Sequence, residues 1–366
     1  MPEFSFMSKL FLALGLSVLI SYGATPLVKG LAYKIGAIDV PKDGRRMHKK
    51  PIPRLGGLAI YIAFLFTVIL FGNISYQMQG ILLGSVMIVV LGVLDDILAL
   101  KALPKFLVQI AAAGVAVYHG CVIQFFSNPN VFSDVPYVNI GWLGIPVTII
   151  WIVAITNAVN FIDGLDGLAV GVSAISTASL LVIALMVQEL DICIFLAALL
   201  GSCLGFIPYN KNPASIFMGD TGATFLGFIL ACLSVQGLFK FYAIISFAVP
   251  FLVLGVPIFD ICFAFLRRIA KGQNPMKADR GHVHHRLIDM GFNQKQAVAI
   301  SYMLTAILGL AAVLLTSSGE LKALILIGAV LVVGAIGMGI IFKKPAKTED
   351  QTVETITVEE EHHEEN

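Results

Sequence analysis

Residues 141–167, GWLGIPVTIIWIVAITNAVNFIDGLDG, decide how the chain is read. The run from Gly141 to Ala158 is long and apolar enough to cross a bilayer. Asn157 to Gly167 then sets two amides and two carboxylates directly behind it. Asn157, Asn160, Asp163 and Asp166 recur every third residue, which on a helix puts neighbours on adjoining parts of one face. Gly164 and Gly167 loosen the backbone, as at a helix end or where a ligand comes close. Asn, Asp and Gly are also ordinary stop residues, so a plain cap and turn fits this stretch alone. Polar atoms at the end of a hydrophobic helix are costly unless they meet water, a metal or a ligand, and other clusters in the chain bear on the choice.

Working outward, the 366 residues are 58% hydrophobic and only 13% charged, with a mean hydropathy of +0.89. A soluble domain is nearer half apolar and a quarter charged, so an all-α polytopic membrane protein is expected. Spanning stretches fall near 8–28, 55–72, 80–95, 104–122, 141–158, 167–188, 192–208, 219–237, 241–266, 297–316 and 320–342, about 11 transmembrane helices. The first is too long for a signal-peptide core and is read as a span. Of the 24 Lys and Arg residues only Lys9, Lys240 and Lys322 fall on one side. The positive-inside rule then places the N-terminus outside and the C-terminus in the cytoplasm. A membrane domain is expected over 1–346, with an acidic, disordered tail over 347–366. Met1–Phe6 reads as a cloning remnant ahead of a start at Met7. The five cysteines lie in or beside apolar segments without a CxxC pair, which suits buried small hydrophobes better than disulfides or zinc. The outer segment 123–140, rich in aromatics and Pro, suggests an interfacial flap or short hairpin.

The remaining chemistry lies in loops on the same face. IDVPKDGRRMHKKPIPRLGG (38–57) mixes six cations with prolines and glycines. It serves the topology signal and anionic lipid, or a shaped clamp for phosphates. Asp95 and Asp96 end the third span. Adjacent helical residues point about 100° apart, so one carboxylate is expected in a shared cavity and the other on a base such as Lys101 or Lys105. Asp220 and Thr221 open the eighth helix, where Asp is a routine N-cap and the free N–H groups also suit phosphate. Phe217 could stack on a nucleobase or anchor the loop at the interface. His282, His284 and His285, with Arg280 and Arg286, are spaced poorly for structural zinc and better for sugar hydroxyls or phosphates. Asp260 lies inside a span, where it pairs with Arg267 or reaches the same cavity. Carriers keep their polar groups near the midplane; here that region is nearly bare, which points to a metal-dependent enzyme joining a soluble anionic donor to a lipid acceptor.

LDD (94–96), NAVNFIDGLDGLA (157–169), NKNPASIFMGDTG (210–222) and HVHHRL (282–287) together resemble the polyprenyl-phosphate N-acetylhexosamine-1-phosphate transferases, over about residues 8–342. HVHHRL is similar to the HIHH signature of the branch that uses simple N-acetylhexosamines, with Val283 for Ile, more than to the phospho-MurNAc-pentapeptide translocases. The resemblance implies a UDP-N-acetylhexosamine donor, UDP-GlcNAc foremost, undecaprenyl phosphate as acceptor, Mg2+ (or Mn2+ in its place), release of UMP, and a multi-pass bacterial inner-membrane location. It makes Asp95, Asp96, Asp163 and His284 the catalytic candidates. Asp220 and Asn160 become candidate metal ligands. Lys49, Asn157, Asn160, Asp166, Asn210, Phe217, Arg280, His282, His285 and Arg286 are assigned to substrate. Val40 departs from the branch, which carries Lys there; Lys42 is the neighbouring substitute. A homodimer is left open. So is the polymer served, teichoic acid and lipopolysaccharide among the choices.

A phosphate monoester has its second pKa near 6, so the acceptor is mostly dianionic at pH 7 and needs little help from a base. Asp95 and Asp96 are therefore expected to position acceptor or metal rather than to remove a proton. Two rivals stand beside this reading: transfer of phospho-MurNAc-pentapeptide, and transport of an anionic or sugar substrate. A CDP-alcohol phosphotransferase fits DxxDGxxA at 163–169 only; positions 170, 179, 183 and 187 lack the Gly, Arg and Asp it needs.

Overall fold

The computed structural model describes residues 5–41, 50–127, 137–237, 248–270, 272, 282–317, 325, 328–329 and 331–336. Lys49, Arg280 and the tail over 347–366 lie outside them. The helices are α1 (Phe6–Ile35), α2 (Gly57–Phe71), α3 (Tyr76–Leu98), α4 (Ala102–Tyr118), α5 (Gly144–Phe161), α6 (Leu168–Met186), α7 (Leu190–Asn210), α8 (Gly219–Gly237), α9 (Ala248–Val253), α10 (Gly255–Ala270), α11 (Val283–Asp289) and α12 (Gln294–Ser317). Two antiparallel ribbons interrupt them: β1 (Ile38–Asp39) with β2 (Ile52–Pro53), and β3 (Phe125–Ser127) with β4 (Tyr137–Asn139). The second is the hairpin anticipated for 123–140. The first ties the ends of the basic loop together.

Helix α8 is the axis of the bundle. From Gly219 to Gly237 every residue but Asp220 is buried, as befits a helix apolar on all sides. α2, α3 and α5 reach its backbone at glycines. A Cβ on Gly57 would strike Gly222, one on Gly92 would strike Thr221, and one on Gly227 would strike Thr156 of α5. Small residues at such crossings let membrane helices gain contact where no hydrophobic drive exists. α1 lies against α7 in the same manner, with Ser17 and Ser21 donating to the carbonyls of Ala198 (2.6 Å) and Ser202 (2.7 Å).

Six helices among the described residues are long and apolar enough to cross a membrane, which makes this a polytopic membrane fold. α2 and α4 are shorter apolar helices in the places where spans were expected. The stretch expected to run unbroken over 241–266 is divided between α9 and α10. The cause is Pro257, which has no N–H for the Val253 carbonyl one turn earlier. That carbonyl instead accepts the Ser176 hydroxyl of α6 at 2.7 Å.

Candidate active site

The α5–α6 turn, the C-terminal end of α7 and the N-terminal end of α8 meet around one cavity of about 760 Å³. Its wall takes Asp39, Lys50 and Arg54 from the first polar loop and Asp163 to Asp166 from the α5–α6 turn. Asn210, Asn212 and Phe217 come from the α7–α8 loop, with Asp220, His285 and Gln294 completing it. Asp220, the one unburied residue of α8, is thus where the central helix opens onto this space.

Local hydrogen bonds explain how the segments converge. Phe217 donates its amide to the Pro53 carbonyl (2.8 Å), and Gly56 and Gly57 donate to Phe217 (2.9 Å) and Met218 (2.8 Å). This short strand-like pairing lays Arg54 beside the start of α8. Arg54 then contacts Asp96 at 3.0 Å and Asp220 at 3.5 Å. Lys105 of α4 contacts Asp95 at 2.6 Å and Asp220 at 2.9 Å. Five charges from four parts of the chain form one line: Asp95, Lys105, Asp220, Arg54, Asp96.

Within that line the neighbouring aspartates divide their work. Asp96 is buried and accepts the Asp220 amide (3.0 Å), the Thr221 amide (3.1 Å) and the Thr221 hydroxyl (2.6 Å), so it caps α8 from another helix. Gly219 is needed for this, because any Cβ there would press on the Asp96 carboxylate. Asp95 takes Lys105 and the Leu100 amide (2.7 Å). Neither carboxylate lines the cavity, contrary to the expectation for one of the pair; both act on Asp220 through a shared cation.

The α5–α6 turn is clamped from three sides. Asn210 accepts the Gly167 amide (3.1 Å) and donates to Ile216 (3.0 Å), while the Tyr302 hydroxyl donates to the Gly167 carbonyl (2.6 Å). Asp166 accepts Asn212 (2.9 Å) and the Ala214 amide (3.0 Å), and Asn212 also donates to Gln294 (2.7 Å). Asp163 carries no side-chain hydrogen bond or ion pair from a described residue. Burial, then the charges of Asp220 and Asp96, push its pKa up to about 8. Arg54 moves the opposite way from what burial alone would do: Asp96 and Asp220 hold it above its usual value.

The histidines form a row of rings. Phe161 stacks on His282 at 5.7 Å, His282 on His284 at 5.7 Å, and His284 meets His285 at 4.3 Å. Only His285 reaches the cavity. His284 is buried over Gly164, where an added Cβ would collide with its ring, and its Nε2 has no hydrogen-bond partner among the described residues. Burial, then the neighbouring His285, pushes its pKa down to about 3, so it is neutral and no phosphate-binding cation. Asp260 accepts His282 Nδ1 at 2.7 Å and the Val283 amide at 2.6 Å. Arg267, its expected partner, stands two turns up α10 with its guanidinium over Phe263.

Asp163, Asp166, Asn210, Phe217, Asp220 and His285 therefore share one wall. Asn157 does not: its amide donates to Gln109 of α4 (2.6 Å) and to Val153 (2.7 Å), because an unpaired amide between helices is costly. Arg286 lies over Phe263 at 5.2 Å, and neither it nor Asn160 or His282 lines the cavity. Arg54 and Gln294 are cavity residues that the motifs did not single out. The Gly56–Gly57 pair beside Arg54 was the signal available.

The donor set suits a hard cation such as Mg2+. Four carboxylates line one space, those of Asp39, Asp163, Asp166 and Asp220; Asp166 is held by Asn212 and the Ala214 amide, whereas Asp163 has no side-chain hydrogen bond or ion pair from a described residue. The described residues contain no cluster of three His, Cys, Asp or Glu able to hold a metal. The protein would give one or two carboxylates and leave other positions to water and a ligand's phosphates, the arrangement Mg2+ accepts.

A multi-helix membrane protein with its ionisable groups pooled at one end of the bundle is the class these features define. Residues 78–238 match the profile described as "Glycosyl transferase family 4". Over 313 residues the chain is 41% identical to the "Probable undecaprenyl-phosphate N-acetylglucosaminyl 1-phosphate transferase" of Bacillus subtilis, covering 85% of this chain and 86% of that one. It is 33% identical over 333 residues to the "Decaprenyl-phosphate N-acetylglucosaminephosphotransferase" of Mycobacterium leprae, 81% of each. To the "Phospho-N-acetylmuramoyl-pentapeptide-transferase" of Clostridium beijerinckii it is 30% identical over 312 residues, 77% of this chain and 93% of that one. The chain belongs to this family of polyprenyl-phosphate sugar-1-phosphate transferases.

Proposed function

We propose that the protein transfers GlcNAc-1-phosphate from UDP-GlcNAc to undecaprenyl phosphate, releasing UMP, as the first membrane step toward a cell-surface glycopolymer. The observation that carries this reading is that Asp163 and Asp220 line one cavity together with Arg54, Lys50, His285 and Phe217. The names of the Bacillus and Mycobacterium relatives support the same transferred sugar phosphate and a polyprenyl acceptor. The full chain is read as eleven spans with the N-terminus outside. That puts the cavity on the cytoplasmic face of the plasma membrane, where a nucleotide sugar is available.

In the reaction an oxygen of the lipid phosphate attacks the sugar-side phosphorus. The bond from that phosphorus to the bridging oxygen breaks, and UMP leaves with the bridging oxygen. Both reactants are anions, so charge neutralisation and alignment carry most of the rate. Mg2+ held by Asp220 and Asp163 would neutralise the pyrophosphate and order it. Phe217 offers a face for the nucleobase, His285 a contact for the sugar or phosphates, and Arg54 and Lys50 positive charge for the phosphates. Asp95 and Asp96 are engaged in ion pairs and backbone bonds, which supports a positioning role over proton removal.

The test is to offer UDP-GlcNAc, UDP-GalNAc and UDP-MurNAc-pentapeptide separately to the purified chain with undecaprenyl phosphate, with and without EDTA, and to extract the lipid product. UDP-GlcNAc is expected to give product that EDTA abolishes. Product from the pentapeptide donor alone would replace the reading, and none from any donor would refute it.

A further inference from the structure

Among the described residues, Asp260 is the one buried acid that the proposed chemistry leaves without a task. It is 1% exposed, lies on α10 within the apolar bundle, and spends both oxygens on a different segment. Oδ1 takes the Val283 amide, the first of α11, and Oδ2 takes His282 Nδ1. A carboxylate in hydrocarbon is costly and persists where it is paired and useful. A plain helix cap would need only one of these bonds, and a Ser, Thr or Asn would serve for it. The second bond selects among the states of a histidine. A carboxylate accepts and does not donate, so its 2.7 Å contact with Nδ1 asks for a proton on that nitrogen. The proton therefore sits on His282 Nδ1, and Nε2 is left as the outward atom.

What hangs on this bond is the ring row. His282 is fixed at one end by Asp260 and by the Phe161 face, His284 lies parallel to it with a 6° interplanar angle, and His285 is the member that enters the cavity. We propose that Asp260 is a positioning residue for the transfer reaction, acting through His282 by setting its tautomer and the placement of the histidine row. It touches no substrate. The inference rests on the function proposed above for what is assayed, but not for the bond itself.

Asp260→Asn keeps the size and an oxygen for the Val283 amide, and presents an N–H to His282 Nδ1 in place of an acceptor. In the full-length enzyme this variant is expected to lose roughly 10–100-fold in kcat, the usual cost of losing an orienting partner. KM for UDP-GlcNAc should stay within about twofold. In a His282→Ala background the same substitution should cost nothing further, because its effect passes through His282. Losses that multiply, or a D260N enzyme of native kcat, would overturn the proposal. A second measurement covers failure of the variant to fold: the nitrogen-15 spectrum of histidine-labelled native chain, with His282 assigned by its loss in H282A. A protonated Nδ1 on His282 is expected, and a bare Nδ1 would overturn the proposal. Should the native chain turn over no UDP-GlcNAc, the functional reading fails, and the spectrum still decides on the bond.

Discussion

Lys105 Nζ stands 2.9 Å from the Asp220 carboxylate, so the acid that opens α8 onto the cavity already has an ammonium partner. A divalent cation and that ammonium compete for the same negative charge. Lys105→Met should therefore lower the Mg2+ concentration needed for half-maximal activity. It should also lower kcat, because Asp95 and Asp220 lose the cation that holds them together. Mg2+ titration of initial rates separates the two effects; a weaker Mg2+ response in the variant would contradict the competition.

Asp96 predicts a loss of stability. Asp96→Ala removes the cap of α8 and strips Arg54 of a buried partner, a change on the order of 3–5 kcal/mol for broken buried pairs. Thr221→Val removes one hydroxyl bond to the same carboxylate and should cost about 1–3 kcal/mol. Thermal unfolding in detergent should rank wild type, T221V and D96A in that order.

Close glycine crossings give a second stability contrast. Gly92→Ala would drive a methyl into the backbone of Thr221, which cannot rotate away, whereas Gly114→Ala meets nothing within 4 Å. Overpacking of this kind costs about 1–3 kcal/mol, and a helical Ala in open space is neutral or better. Only the first variant should lose yield and Tm.

Asp163 predicts a proton linked to the cation. With a pKa near 8 against 3.8 in an unfolded chain, the metal-free folded state holds a proton there that the unfolded state has lost. Its contribution to stability is then fully present below pH 3.8 and is lost as pH rises through 8. A bound cation favours the ionised carboxylate, so binding at pH 7 should release close to one proton and tighten toward pH 8. Calorimetry of Mn2+ binding in two buffers of different ionisation enthalpy measures that proton. Asp163→Asn should release none.

Much of this arrangement was legible in the sequence because hydrophobic length and one-sided polar loops are local properties. The apolar run of α5 and the Asn-Asp-Gly turn behind it identified both a span and a wall of the cavity. Pairings across the chain were not legible. Arg54 lies 42 residues from Asp96 and 166 from Asp220, and nothing in LGG or MGDTG names the partner. Asp260 was expected to pair with Arg267 or to reach the cavity, but its carboxylate meets His282 and the start of α11. Asn157 shares its face and spacing with Asp163, yet Gln109 on α4 claims it, because spacing sets a side chain's direction and not its neighbour. The break at Val253 was written in Pro257, whose missing N–H leaves the Val253 carbonyl to the Ser176 hydroxyl.

The central claim is that acidic groups from the α5–α6 turn and from α8 serve one cation. Crystals of the full chain grown with Mn2+ and UDP-GlcNAc test it through the anomalous signal of manganese. The account predicts a single peak in the cavity, about 2.1–2.2 Å from carboxylate oxygens of Asp220 and Asp163. A peak seated on the histidines, or two peaks that leave these aspartates in separate sites, would contradict it.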